Sequence, residues 1–193
     1  DLGKGSHIVI YPSSRMLLRS HNQLACKVSL MLAEPKSIHG KYYRMIVILR
    51  WKFTYVITRY SEFSDRYNRV LTMPVVESWV APQTDNSLKV KTKLCSLIAS
   101  GKAEQVGHKL RHATVDMIRK SRLAIDILGR GYQPFGEKEE GLLPYHYSVI
   151  IENCQEDDYF TEKLLDCILC NTIPIYWGCS NISDYFDVTG FII

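Results

Sequence analysis

Apolar and polar positions along the chain fall into short blocks that switch between a two-residue and a near-four-residue period. "SHIVIY" (6–11) and "CKVSLMLAE" (26–34) read as strands. The Glu34-Pro35 step ends the second, because a residue before proline is biased away from helix. "KYYRMIVILR" (41–50) fits a buried helix or a strand, since its length alone does not decide. "FTYVITRY" (53–60) is β-branched and aromatic, hence a strand. "RVLTMPVV" (69–76) reads as another, demoted to an edge by Pro74. "VKTKLCSLIAS" (90–100) has the look of a buried strand closed by Gly101.

Further on the alternation sharpens. "GHKLRHATVDMIRKS" (107–121) sets Leu110, Val115, Met117 and Ile118 roughly on one helical stripe. A short strand "LAIDILG" (123–129), a loop over 130–142 and a strong strand "YHYSVIIE" (145–152) follow. "TEKLLDCILCN" (161–171) is a helix with Thr161 or Asp158 as N-cap and Asn171 as a left-handed stop. "TIPIYWG" (172–178) is apolar on both faces, as expected of a central parallel strand. Strand–helix–strand alternation predicts an α/β protein with parallel sheets. The polar stretch 82–87 is the expected separator of two lobes, 1–87 and 88–193.

At 193 residues the chain has room for one large domain or two small lobes. No apolar run reaches the length of a membrane span, and Asp1 opens no secretory pattern. The first residues read as the interior of a longer protein rather than its start. The six cysteines (26, 95, 154, 167, 170 and 179) are irregularly spaced. Cys167 and Cys170 form a C-x-x-C on an apolar helical pattern without a second pair, so buried free thiols are expected. Charge changes the picture more. Nine Lys or Arg lie between Lys89 and Arg122 against Glu104 and Asp116, a local +7 in a chain of net +4. A solvated helix face, a nucleic-acid surface and a site for a phosphate-bearing small ligand all fit that run. Interleaved aromatics for base stacking are missing from it.

The densest chemistry lies in "VIIENCQEDDYFTEKLLD" (149–166). Lys163 falls in the first turn of a helix, where the dipole disfavours a cation and welcomes an anion. In open parallel sheets ligands bind beyond the C-terminal strand ends, and a following helix N-terminus offers free N–H groups there. A bound anion would account for Lys163, and Glu162 beside it is suited to accepting hydrogen bonds from sugar hydroxyls. Neither G-x-x-x-x-G-K-[ST] nor G-x-G-x-x-G occurs. A diphosphate carrying sugars therefore fits better than ATP hydrolysis. Glu156, Asp157 and Asp158 are read as a solvated loop rather than a divalent-ion site.

The stretch "YSVIIENCQEDDYFTEKLLDCILCNTIPIYWG" closely resembles the donor-binding motif of the family 10 glycosyltransferases, the α1,3/α1,4-fucosyltransferases. "GHKLRHATVDMI" is similar to that family's basic helix, and "LAEP", "YVITRYSEF" and "LTMPV" to its acceptor-side lobe, so the resemblance covers about 32–193. It implies a GT-B-like fold of two Rossmann-like lobes, with the N-terminal lobe incomplete and the C-terminal lobe truncated here. It implies that Asn153, Tyr159, Glu162 and Lys163 contact GDP-fucose, that Arg111 faces the diphosphate, and that Glu34 is the catalytic base. Cys154 stands where the family usually has Ser.

The implied reaction moves L-fucose from GDP-fucose to a hydroxyl of an oligosaccharide or glycoconjugate acceptor with inversion. That requires one general base rather than the paired carboxylates of a retaining glycosidase. No cofactor or metal is required by this reading, and there is no D-x-D motif. Two other readings stand beside it: a catalytically silent sugar-nucleotide-binding fragment, and a GT-B transferase for another sugar nucleotide. No nucleic-acid partner is expected, and any membrane association would lie outside this segment. A bacterial or viral member would be cytoplasmic, a eukaryotic one lumenal in the Golgi. The N-x-S sequon at Asn181 does not choose between them.

Overall fold

Strand partners here lie fourteen or more positions apart, too far for tight hairpins, and crossovers that return the chain to the same sheet edge favour parallel pairing. Every strand ladder among the described residues is parallel. The computed structural model describes residues 3–21, 23–80 and 90–193. The chain divides into two units, Asp1–Val75 and Val76–Ile193. The stretch 82–87, read as a separator, lies outside the described residues.

The first unit carries one sheet in the order β1 (His7–Ile10), β2 (Lys27–Leu32), β3 (Val56–Thr58), β4 (Val70–Thr72). Helix α1 (Ser14–Leu18) starts at Ser13, whose Oγ accepts from Met16 N at 3.2 Å. Helix α2 (Lys36–Leu49) settles the ambiguous apolar run in favour of helix and buries Tyr43 and Ile46, three residues apart. These two side chains pack with Leu17, Leu30, Leu32 and Val56 in the core. The predicted strand 53–60 keeps only three strand residues, and helix α3 (Ser61–Arg66) begins directly after Tyr60. Six residues give too short a period for sequence to reveal α3. Strand β4 is outermost, and Pro74 lies just beyond it.

The second unit orders its strands β6 (Ile125–Leu128), β5 (Lys93–Ile98), β7 (Tyr145–Ile151), β8 (Ile173–Trp177). Helix α4 (Val106–Lys120) and helix α5 (Glu162–Leu169) complete it. Two expectations are corrected here. Strand β8 is outermost rather than central: its free edge meets the chain at Ile192, with Tyr176 N donating to Ile192 O at 2.7 Å and Ile192 N to Pro174 O at 3.0 Å. Apolarity on both faces reports burial of the faces and says nothing of edge partners. On α4 the buried stripe is Gly107, His108, Arg111, Val115 and Ile118, whereas Met117 is exposed. The stripe runs through 111, 115 and 118, and Met117 lies to its side.

Two fully buried serines, Ser96 and Ser148, are register partners on β5 and β7, and Ser96 Oγ donates to Gly141 O at 2.8 Å. The short turn Lys138–Gly141 thereby sits directly on the sheet. All six cysteines are buried, and none is in a disulfide. Burial pushes the Cys95 and Cys170 thiols up to about 11, which suits packing and not reactivity. Among the described residues no helix is long and apolar enough to cross a membrane.

Candidate functional site

Strand β7 delivers its last residues to a point where a buried carboxylate closes a loop. Glu152 follows β7 directly, is fully buried, and extends the ladder by donating its N–H to Trp177 O at 2.9 Å. Its Oε1 accepts from Thr161 N at 2.8 Å and its Oε2 from Thr161 Oγ1 at 2.7 Å. Thr161 is the N-cap of α5, and its Oγ1 also accepts from Lys163 N at 3.4 Å. The chain from 153 to 160 is thus a loop tied at its base. Gly178 flanks Glu152 so closely that a Cβ there would stand 2.5 Å from Glu152 Cγ.

The lysine in the first turn of α5 has a resident partner. Lys163 Nζ lies 3.4 Å from Glu152 Oε2, 3.2 Å from Glu162 Oε1 and 3.0 Å from Thr161 Oγ1. Two carboxylates of the chain therefore already offset part of its charge. Burial pushes the Glu162 carboxyl up, but Lys163 and Lys138 outweigh it and hold the group below its ordinary value. Lys163 is left with a charged end that is partly accessible, at 23% side-chain exposure.

Helix α4 points its N-terminus at the same strand end. Gln105 and His108 form a reciprocal cap, with Gln105 N donating to His108 Nδ1 at 3.2 Å. Gly107 N donates to Asn153 O at 2.9 Å, and a Cβ on Gly107 would fall 1.7 Å from Glu152 O. Only glycine permits that approach. One turn on, Arg111 is 6% exposed and its Nη2 donates to Asn153 Oδ1 at 2.7 Å. Its buried Nε has no hydrogen-bond partner among the described residues. Burial lowers the guanidinium's pKa, opposed by the charges of Glu152 and Glu162.

Five of the six residues singled out from sequence therefore belong to one unit: Arg111, Asn153, Tyr159, Glu162 and Lys163. Asn153 is half-buried and Tyr159 is buried at 2% exposure. Glu34 belongs to the first unit, exposed just past β2, where its backbone O accepts from Tyr43 OH at 3.2 Å. The solvated-loop reading of 156–158 fails at Asp158. That residue is buried, has φ +61° and accepts hydrogen bonds from Asn181 and Tyr185, because a polar loop folded onto the sheet must satisfy its groups internally. Sequence reasoning missed Glu152 and Gly107. The signal for Glu152 was available: an acid ending an apolar strand one residue before Asn153.

The basic run 89–122 does not act as one face. Lys91 Nζ donates to Cys170 O at 2.7 Å, at the C-terminal end of α5, and Lys93 pairs with Asp126 at 2.9 Å. Arg111 is buried, while Arg119 and Arg122 are exposed. Lys89 lies outside the described residues. Among the described residues no group of three or more His, Cys, Asp or Glu is placed to hold a metal ion.

Two parallel sheets with connecting helices, and a cation-bearing strand end in the second, define a GT-B-like α/β protein. The fold is shared with a solved alpha1,3-fucosyltransferase at TM-score 0.62 and 23% identity, covering 95% of this chain and 60% of that one. A structure of alpha1,3-fucosyltransferase with GDP-fucose gives TM-score 0.61 at 20% identity over the same shares. The chain belongs to glycosyltransferase family 10 (fucosyltransferase), whose C-terminal part matches residues 88–193. An alpha-(1,3)-fucosyltransferase FucT of Helicobacter pylori is 38% identical over 55 residues, 28% of this chain and 12% of that protein. A fucosyltransferase-like protein of Arabidopsis thaliana is 30% identical over 78 residues, 39% of this chain and 15% of that protein. The chain thus spans about 60% of the solved relatives' length, and its matches cover a small fraction of the curated ones.

Proposed function

We propose that this chain binds GDP-fucose at the end of β7 and transfers L-fucose, with inversion, to a hydroxyl of an acceptor glycan. The observation that carries the reading is Arg111: a buried guanidinium fixed by Asn153, with an Nε that lacks a partner among the described residues. A buried donor left unmade is costly, and a diphosphate oxygen is the acceptor its fork geometry fits. Membership of the fucosyltransferase family and a relative solved with GDP-fucose support the choice of donor.

In the proposed displacement the acceptor oxygen attacks the anomeric carbon and its proton passes to the Glu34 carboxylate. The bond to the diphosphate breaks, and its electron pair leaves with the diphosphate. Arg111 and Lys163 offset the negative charge that grows on that group, which is the largest kind of contribution an enzyme makes. Asn153 and Glu162 are assigned to orienting the donor, and Tyr159 to packing against it.

Calorimetric titration with GDP-fucose and with other sugar nucleotides tests this, followed by a turnover assay. Tightest binding of GDP-fucose, weakened in Lys163→Ala at unchanged thermal stability, is expected. Binding no tighter than for other sugar nucleotides would overturn the donor assignment. Binding without turnover would leave a sugar-nucleotide-binding module.

A further inference from the structure

The side-chain amide of Asn181 has all four of its hydrogen-bonding positions filled from within the chain. Its Nδ2 donates to Asp158 Oδ1 at 2.9 Å and to Asp184 Oδ2 at 3.1 Å. Its Oδ1 accepts from Asp158 N at 2.8 Å and from Cys179 Sγ at 3.0 Å. Two donors and two acceptor lone pairs are the whole capacity of an asparagine amide. The orientation is forced, since carboxylates face the nitrogen and N–H and S–H groups face the oxygen. Asp158, grasped from both its backbone and its side chain, sits at φ +61°, in the left-handed region that non-glycine residues rarely occupy. It directly precedes Tyr159, and Tyr185 OH donates to the same Asp158 Oδ1 at 2.7 Å.

We propose that Asn181 is a positioning residue: it clasps the crest of loop 153–160 in the shape that presents Tyr159 to the donor, as Glu152 ties the base. A consequence concerns the sequon Asn181-Ile182-Ser183. N-glycosylation replaces a hydrogen of Nδ2, and both hydrogens are committed to carboxylates. Asn181 of the folded chain is therefore a clasp and not a glycan acceptor. The inference rests on the donor reading only for its link to Tyr159.

Asn181→Asp keeps the shape but sets a carboxylate against those of Asp158 and Asp184, with the Cys179 thiol and the Tyr185 hydroxyl as the other titratable neighbours. Ser183→Ala removes the sequon and leaves the clasp, since Ser183 is exposed. In the ligand-free chain, amide exchange at Asp158 is expected to accelerate about tenfold or more in Asn181→Asp and to stay unchanged in Ser183→Ala. GDP-fucose affinity is expected to fall by a similar factor in Asn181→Asp alone. It should recover as pH falls into the carboxylate range, where a shared proton restores the lost donor. A general loss of stability would not produce that recovery. Expression in a host that glycosylates N-x-S sequons should give folded chain unoccupied at Asn181. Unchanged Asp158 exchange in Asn181→Asp, or glycan on Asn181 of donor-binding protein, overturns the proposal. If the unmodified chain fails to bind GDP-fucose, the donor reading falls while exchange at Asp158 still decides the clasp.

Discussion

Arg111 Nη2 donates to Asn153 Oδ1 at 2.7 Å, joining the second turn of α4 to the residue that opens the loop after β7. The bond fixes the guanidinium plane, and its Nε is buried with no hydrogen-bond partner among the described residues. Arg119 and Arg122, on or just beyond the same helix, are exposed and complement the dipole at its C-terminal end.

Arg111→Ala should therefore abolish detectable GDP-fucose binding by calorimetry, whereas Arg119→Ala and Arg122→Ala each leave it little changed. Arg111→Lys keeps the charge without the fork and should fall between. Equal losses across the three alanine variants would assign the effect to a general basic surface and remove Arg111 from the site.

A second expectation concerns backbone contact. Gly107→Ala places a Cβ 1.7 Å from Glu152 O, a backbone atom that cannot turn aside. α4 must then lift from the end of β7, breaking the Gly107–Asn153 hydrogen bond and the Arg111–Asn153 pair together. A stability loss of about 2 kcal/mol or more by urea unfolding is expected. Gly101→Ala serves as the control, since a Cβ there meets nothing within 4 Å. Like losses in both variants would show that the close approach is not what holds the helix.

That contact also shows where sequence reading stops. The strands and helices of the second unit are legible because all but the four-residue β6 run for five or more residues, and Thr161 and Asn171 mark α5 as cap and stop. Arg111 and Asn153 are reached through motif resemblance, and Lys163 first through its place against the helix dipole. The period reading draws the stripe of α4 through Leu110 and Met117 and leaves Arg111 off it, and no local pattern can say that Asn153 meets Arg111 42 positions away. A first-turn lysine points to an anion, and only coordinates reveal that Glu152 and Glu162 already lie against it. The edge position of β8 and the exposure of Met117 depend on what packs alongside, which local pattern does not encode.

The pH dependence of stability follows from two histidines. Burial lowers the pKa of His108, with Arg111 adding to the shift and Glu104 opposing it. Burial also lowers that of His39, against the charge of Glu34. Both native values lie below the ordinary 6.5, so the unfolded chain binds more protons in the window beneath it. Stability should be fully present above pH 6.5 and fall as pH drops through the lowered values. Protonation of His108 also removes the acceptor that Nδ1 offers Gln105 N. Urea midpoints measured at stepped pH should decline below 6.5, and His108→Gln should flatten that decline. An equally steep decline in the variant would trace it to other groups. Glu104 and Glu162, both held below their ordinary 4.5, act only at lower pH.

The catalytic base is the remaining assignment, and it makes the sharpest demand. Glu34 is exposed at the end of β2, and its neighbour Pro35 starts α2 by fixing the turn between them. A general base must be reachable by the acceptor hydroxyl, and an exposed carboxylate two residues past β2 meets that demand. Glu34→Gln preserves size and hydrogen-bonding shape but cannot take a proton. It should bind GDP-fucose almost as the unmodified chain does and lose turnover by roughly 10²–10⁴-fold, the range for a positioned acid–base group. Glu34→Asp, with a carboxylate drawn back by one methylene, should retain part of the rate. Donor titration and single-turnover kinetics on the same preparations separate the two effects. Weakened donor binding in Glu34→Gln would recast the residue as structural. Unchanged turnover would pass the role to another acid. Asp65 is then the first to test, because it is exposed and Glu62 is already engaged by Lys36.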